Sequence, residues 1–132
     1  MRLSVSPDGR HRAELVREGE VPWGPEYYRL RLDGVELPKR LFGDCLTWHE
    51  GSRYLAAQEW LTSDPAAGPR TRVALFALQG TLCAALKTVE KGFAERFRFV
   101  PSGFVYTRQF HAPERAEEVE VEWSSIQGWR PY

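Results

Sequence analysis

Residues 3–12 read Leu3-Ser4-Val5-Ser6-Pro7-Asp8-Gly9-Arg10-His11-Arg12. A short alternating run enters Ser6-Pro7-Asp8-Gly9, and a second run leaves it. Pro7 presets φ for the first central position of a turn, and Gly9 accepts positive φ. The stretch therefore predicts a β-hairpin. It recurs in degenerate form at residues 46–55, around Glu50-Gly51-Ser52, and at residues 97–106, around Pro101-Ser102-Gly103.

The rest of the chain repeats what surrounds these turns. After the first, Arg10–Arg17 alternates, with Ala13 and Leu15 on one face. Glu18–Pro25 breaks the pattern and is expected to be a loop. Tyr27–Leu32 alternates again, with Tyr28, Leu30 and Leu32 facing one way and Arg29 and Arg31 the other. That period marks a strand with one wet face. Asp33-Gly34 is a strong two-residue hairpin signal, and Val35–Leu37 returns.

The second pass runs Cys45–Trp48, turn, Arg53–Trp60, a Pro-bearing loop over Leu61–Arg70, then Thr71–Leu78. Thr71–Leu78 is apolar on both faces and should be the most central strand. Gln79-Gly80 occupies the position of Asp33-Gly34, and Leu82–Leu86 returns. The third pass has Phe97–Val100, turn, Phe104–Phe110, a loop over His111–Glu117, the alternating strand Glu118–Trp123, and a turn at Gln127-Gly128. Leu82, Leu86, Val89, Phe93 and Phe97 also fit one helical face. The repeat argues for strand then turn there, and Gly92 counts against a helix.

Gly34 to Gly80 spans 46 residues and Gly80 to Gly128 spans 48. A period of this size with four strands per unit is that of propeller blades. With Ser6-Pro7-Asp8-Gly9-Arg10, Trp48 and Arg53 around the second turn, and Pro101 and Gly103 in the third, the chain resembles the WD40-like, TolB-type β-propeller repeat. Three units are fewer than a closed propeller uses. The expected fold is all-β: an antiparallel meander of three degenerate four-stranded repeats, closing as a curved sheet, sandwich or irregular barrel. Residues 1–132 are read as a single domain.

Lys plus Arg and Asp plus Glu number 18 each. Zero net charge argues against nucleic acid and anionic membranes as partners. No apolar run reaches the length of a membrane helix, and no leader pattern follows Met1-Arg2. The expected compartment is the cytoplasm, with Cys45 and Cys83 reduced.

Catalytic signatures are lacking. His11, His49 and His111 have no metal-ligand spacing, and no C-x-x-C, P-loop or nucleophile elbow is present. Neither a metal nor a cofactor is expected. The histidines are read as turn residues, and Glu118, Glu120 and Glu122 as the wet face of a strand. Trp48, Trp60, Phe76, Phe99, Tyr106 and Trp123 are read as core. Trp129 and Tyr132 are read as a staple for the last strand.

The loops over Glu18–Pro25, Leu61–Arg70 and His111–Glu117 hold equivalent repeat positions and should emerge at one end of the sheet. Their Glu18, Glu20, Trp23, Asp64, Arg70, Glu114 and Glu117 are the expected partner-binding residues, an acidic rim around a tryptophan. This points to a non-catalytic binding module for a protein partner, such as a basic toxin or enzyme blocked by an inhibitor of the immunity-protein kind. The alternatives are an enzymatic or small-ligand barrel, with a pocket around Arg53, Tyr54, Gln58 and Arg108, and an accessory subunit of a larger complex.

Overall fold

The structure, a computed structural model, describes residues 2–22, 24–111 and 113–132. Among these the chain forms thirteen strands and no α-helix: β1 (Arg2–Val5), β2 (Arg12–Glu20), β3 (Glu26–Leu32), β4 (Val35–Glu36), β5 (Leu41–Trp48), β6 (Tyr54–Trp60), β7 (Arg70–Ala77), β8 (Leu82–Ala85), β9 (Val89–Glu90), β10 (Gly92–Val100), β11 (Gly103–His111), β12 (Glu114–Glu122) and β13 (Arg130–Pro131). Two 3-10 turns, Pro65–Ala67 and Trp123–Ser125, complete it. The helical spacing at residues 82–97 is thus resolved in favour of strands.

The first two sequence units run on into one antiparallel sheet. Its order is β1-β2-β3-β5-β6-β7-β8-β13, with β4 paired to β3 and β9 to β7. The third unit makes its own sheet, β10-β11-β12, and then returns β13 to the edge of the first. The large sheet is curved and is not closed into a barrel. Among the described strands, β1 and β13 end its pairing order.

The first two predicted turns of the first unit form for the reason read from the sequence, whereas residues 126–129 form no hydrogen-bonded turn at Gln127-Gly128 although Gly128 has φ 77°. Gly9 N–H donates to Ser6 O, and Ser6 Oγ and Arg10 N–H both donate to the Asp8 carboxylate, at 2.7 and 2.9 Å. Asp33 and Gly34 have φ of 52° and 83°, the paired positive values of a type I′ hairpin. The turn of the first unit touches that of the second, where Asp8 N–H donates to Ser52 Oγ at 3.0 Å.

The hairpin β6–β7 is the centre of the molecule. One face carries Leu55, Ala57, Ala74 and Phe76 into a core shared with Leu15, Leu30, Leu32 and Phe42 of the curved sheet. The other face carries Ala56, Val73 and Leu75 against Ala94, Phe97, Phe104 and Tyr106 of the small sheet. Burial on both faces explains why Thr71–Leu78 shows no alternation. Two buried polar side chains bolt the sheets together. Gln58 Nε2 donates to Ala94 O at 2.8 Å, and Thr71 Oγ1 donates to Gly92 O while accepting from Ala94 N–H. Tyr132 packs edge-on against Phe76, and Trp129 lies beside Tyr54, so the terminal aromatics do hold the end of the chain.

Two expected loops are shorter than the sequence reading. Strand β2 continues to Glu20, past a bulge between Arg17 and Gly19. Gly19 looks like a breaker, but the hydroxyl end of the Tyr27 side chain lies across it, in the space that a Cβ there would need. Strand β11 runs to His111 and β12 starts at Glu114, so Glu114 and Glu117 are strand residues and not loop residues.

Candidate functional site

The β2–β3 and β6–β7 connections and the end of β11 meet at one end of the molecule. Val21, Pro22, Gly24 and Pro25 of the first, Thr62–Pro65 and Gly68–Pro69 of the second, and His111, the last residue of β11, line one cleft of about 480 Å³. Trp60 and Phe93 form its floor, their ring centroids 5.9 Å apart. Tyr27 packs on Trp60 at 5.7 Å, and His111 stands edge-on to Phe93 at 5.7 Å. The long connection keeps its shape through local bonds. Asp64 Oδ1 accepts from Ala66 N–H at 2.9 Å, and Thr62 Oγ1 accepts from Asp64 N–H at 3.1 Å. Prolines at 22, 25, 65 and 69 further limit the conformations the cleft walls can adopt.

Only one of the expected binding residues with a described structure, Asp64, lines this cleft. Glu20 and Glu114 are exposed, each one or a few residues along the chain from a lining position. Glu20 lies 3.6 Å from Arg17. Glu18 Oε2 lies 2.7 Å from Arg29 Nε but off its N–H direction, an ion pair without a hydrogen bond. Arg70 opens β7 and pairs with Glu90 at 2.8 Å. Glu117 sits on β12 between Arg108 and Arg115, at 4.0 and 3.9 Å. The rim is therefore less acidic in effect than the sequence implies, because most of its carboxylates have arginine neighbours. Trp23 lies outside the described residues.

The alternative pocket around Arg53, Tyr54, Gln58 and Arg108 does not assemble. Arg53 is exposed, and Tyr54 is stacked at 4.6 Å on Trp123. Gln58 is consumed by Ala94 O and by the Trp60 indole N–H, which donates to it at 2.9 Å. Arg108 lies over the Tyr106 ring. The histidines are likewise engaged. His11 Nδ1 lies 2.7 Å from Asp33, and His49 Nδ1 accepts from Gly51 N–H. Among the described residues no three or more His, Cys, Asp or Glu side chains gather as a metal site. No helix among them is long and apolar enough to cross a membrane.

A second concavity, of about 640 Å³, lies across Trp60 from the first and was missed by sequence reasoning. At its base Glu59, 3% exposed, holds two arginines. Arg40 binds it bidentately, Nε to Oε2 at 2.7 Å and Nη2 to Oε1 at 3.1 Å, while Arg72 Nε donates to Oε1 at 2.8 Å. The Arg40 guanidinium also lies 5.4 Å from both the Phe42 and Phe76 ring centroids, and 3.7–3.8 Å from Cys83 Sγ. Burial pushes the Glu59 carboxyl up, but the Arg40 and Arg72 guanidiniums more than offset this and hold it below the ordinary range. Cys83 moves the other way, its thiol raised by burial against a partial pull from Arg40. Cys45 packs in the opposite core cluster, where burial pushes its thiol up to about 11. Both cysteines are free.

No family model, curated protein or solved structure matches this chain.

Proposed function

We propose that the protein is a non-catalytic binding module, and that its loop-end cleft seats an apolar side-chain anchor from a protein partner. One observation carries this reading: two connections and the end of β11, separated by dozens of residues, converge on a single apolar cleft of about 480 Å³. The cleft is the size of one or two large side chains, with stiff proline walls and an aromatic floor. Such a socket suits an aromatic or aliphatic hot-spot residue, and its preorganisation lowers the ordering cost of binding. Asp64 on the rim and Glu114 beside it, neither with a basic side chain within 4 Å among the described residues, favour a basic partner, which they would attract during encounter. A soluble toxin or enzyme that the module inhibits, after the manner of an immunity protein, fits this charge preference. The overall neutrality of the chain favours a protein over nucleic acid as the partner.

The test is affinity capture from native lysate with the wild type and with Ser63→Arg. Ser63 lines the cleft and is half-buried, so the arginine covers the socket without removing a core contact. A partner retained by the wild type and lost by Ser63→Arg, at equal melting temperature, supports the reading. A partner retained equally by both, or none retained by either, overturns it.

A further inference from the structure

The concavity across Trp60 concentrates positive charge in a chain that has none to spare. Lys39, Arg40, Arg72 and Arg130 line it against the single carboxylate of Glu59. The whole chain holds equal numbers of acids and bases. Four cations facing one acid is thus a local arrangement and not a reflection of composition. Glu59 is shared: both arginines use its Oε1, at 3.1 and 2.8 Å. It neutralises one guanidinium and leaves the other uncompensated. Lys39 and Arg130 have no carboxylate within 4 Å among the described residues, unlike most arginines of the chain, which are paired on the surface.

The donor geometry is as specific as the charge. Arg72 spends only Nε on Glu59. Its two terminal nitrogens make no hydrogen bond to described protein atoms, and the side chain, 26% exposed, borders the cavity. Glu59 fixes this guanidinium by one edge and leaves the other edge presented. Lys39 reaches the cavity from a backbone at φ 59°, a left-handed value that lysine rarely adopts. The positive φ turns the chain between Pro38 and Arg40 so that consecutive cations reach the same cavity. Gln127, Gly128 and Arg130 line its far side.

We propose that this cavity binds a small molecule through a phosphate group. A carboxylate would neutralise one of the three excess charges; a phosphate brings up to two, with three acceptor oxygens matched to guanidinium forks and an ammonium. The volume of about 640 Å³ lies within the roughly 300–1,000 Å³ of small-molecule sites, larger than phosphate alone needs. Glu59 acts as a positioning residue that orients Arg40 and Arg72. This site is separate from the loop-end cleft, and either reading can fail without the other.

The test is calorimetric titration of the full chain with inorganic pyrophosphate, and with adenosine 5′-diphosphate as a probe carrying an organic group, all at constant ionic strength. Sodium acetate and sodium chloride serve as controls. Lys39→Ala/Arg130→Ala changes two exposed residues and leaves the Glu59 cluster intact, so it should fold normally. Saturable binding of pyrophosphate, weakened about tenfold or more in that double variant, supports the site. Tighter binding of the diphosphate ester than of pyrophosphate supports an organic portion seated in the cavity, and equal binding supports recognition of the phosphate group alone. Binding unchanged in the double variant, equal heats with acetate, or no saturation by either phosphate probe would overturn it.

Discussion

Two concavities share the Trp60 wall, and they are built by opposite means. The loop-end cleft is made of connections: prolines, glycines and small residues held by turn hydrogen bonds, with Phe93 and Trp60 rising from strands beneath. The basic cavity is made of strands and one tight turn. Its key residues come from the β4–β5 turn, β6, β7 and the β13 edge, and are fixed by a buried carboxylate. Local turn chemistry shapes the walls of the first, whereas the cation set of the second exists only once four segments distant in sequence have folded together. The two should therefore respond differently to substitution: one through binding with little change in stability, the other through stability first.

The largest effect expected from this contrast is at Glu59. Glu59→Gln leaves Arg40 and Arg72 half-buried without their counter-charge, and breaking a buried pair from one side costs about 3–5 kcal/mol. Urea denaturation should show a loss in that range. A loss below about 1 kcal/mol, the worth of a surface ion pair, would mean that water screens the cluster and that the two concavities are not mechanically different.

The same contrast explains what could be read from the sequence. The turns at Asp8-Gly9, Asp33-Gly34 and Gly80 announce themselves in two to four residues, because Gly, Pro and Asp have narrow backbone roles. Their spacing was enough to place two connections and the end of β11 at one end of the molecule. Loop lengths were less legible. Gly19 and Ala116 lack strand-forming side chains, yet both lie in strands, the first beneath Tyr27 and the second paired with Gln109. The allocation of the third unit to a separate sheet leaves no mark in period or polarity. It follows from β10 packing on the back of β6 and β7 through Gln58 and Thr71. The basic cavity was half visible: hairpin pairing places Glu59 opposite Arg72 across β6 and β7. Nothing in residues 38–40 or 130 shows that they come to the same place, since those contacts cross 19 or more residues and Arg130 arrives on the β13 end strand.

A pH titration of stability sharpens the comparison next. Glu59 titrates below its unfolded value of about 4.5 in the folded protein. Its contribution is complete above that value and is lost as pH falls through the lower folded pKa. Wild-type stability should fall progressively below about pH 4.5, and Glu59→Gln should show a shallower decline. Asp8 and Glu26 are also lowered, by Ser6 and Tyr28 hydrogen bonds foremost, so the informative quantity is the difference between the two proteins. Parallel curves would remove Glu59 from the acid limb. On the alkaline side Tyr132 is pushed up to about 12 by burial, so stability it contributes below pH 10 should be lost as pH rises through 12. Tyr132→Phe should flatten that limb.

The cleft should behave as its counterpart at Asp64. Asp64→Ala removes the bond to Ala66 N–H that shapes the Pro65–Ala67 turn, an effect of about 1 kcal/mol or less, as for other capping side chains. Partner retention at the cleft should suffer more than the melting temperature. A large drop in melting temperature would show that the loop is part of the folding core, and the division between connection-built and strand-built concavities would not hold.

The smallest effect expected is a gain. Lys39 sits at φ 59°, a region that costs a residue with a Cβ roughly 1 kcal/mol and costs glycine nothing. Glycine also gives the unfolded chain more freedom, which returns part of that gain. Lys39→Gly should therefore raise stability by a few tenths of a kcal/mol, well under the full strain. It also removes one of the two unpaired rim cations, so phosphate-probe affinity should fall while the fold becomes firmer. Opposite signs for stability and binding are what a position strained for recognition produces. If Lys39→Gly instead destabilises the protein and leaves probe binding intact, the lysine stem is a packing element of the β4–β5 turn, and the cation set of the cavity reduces to its three arginines.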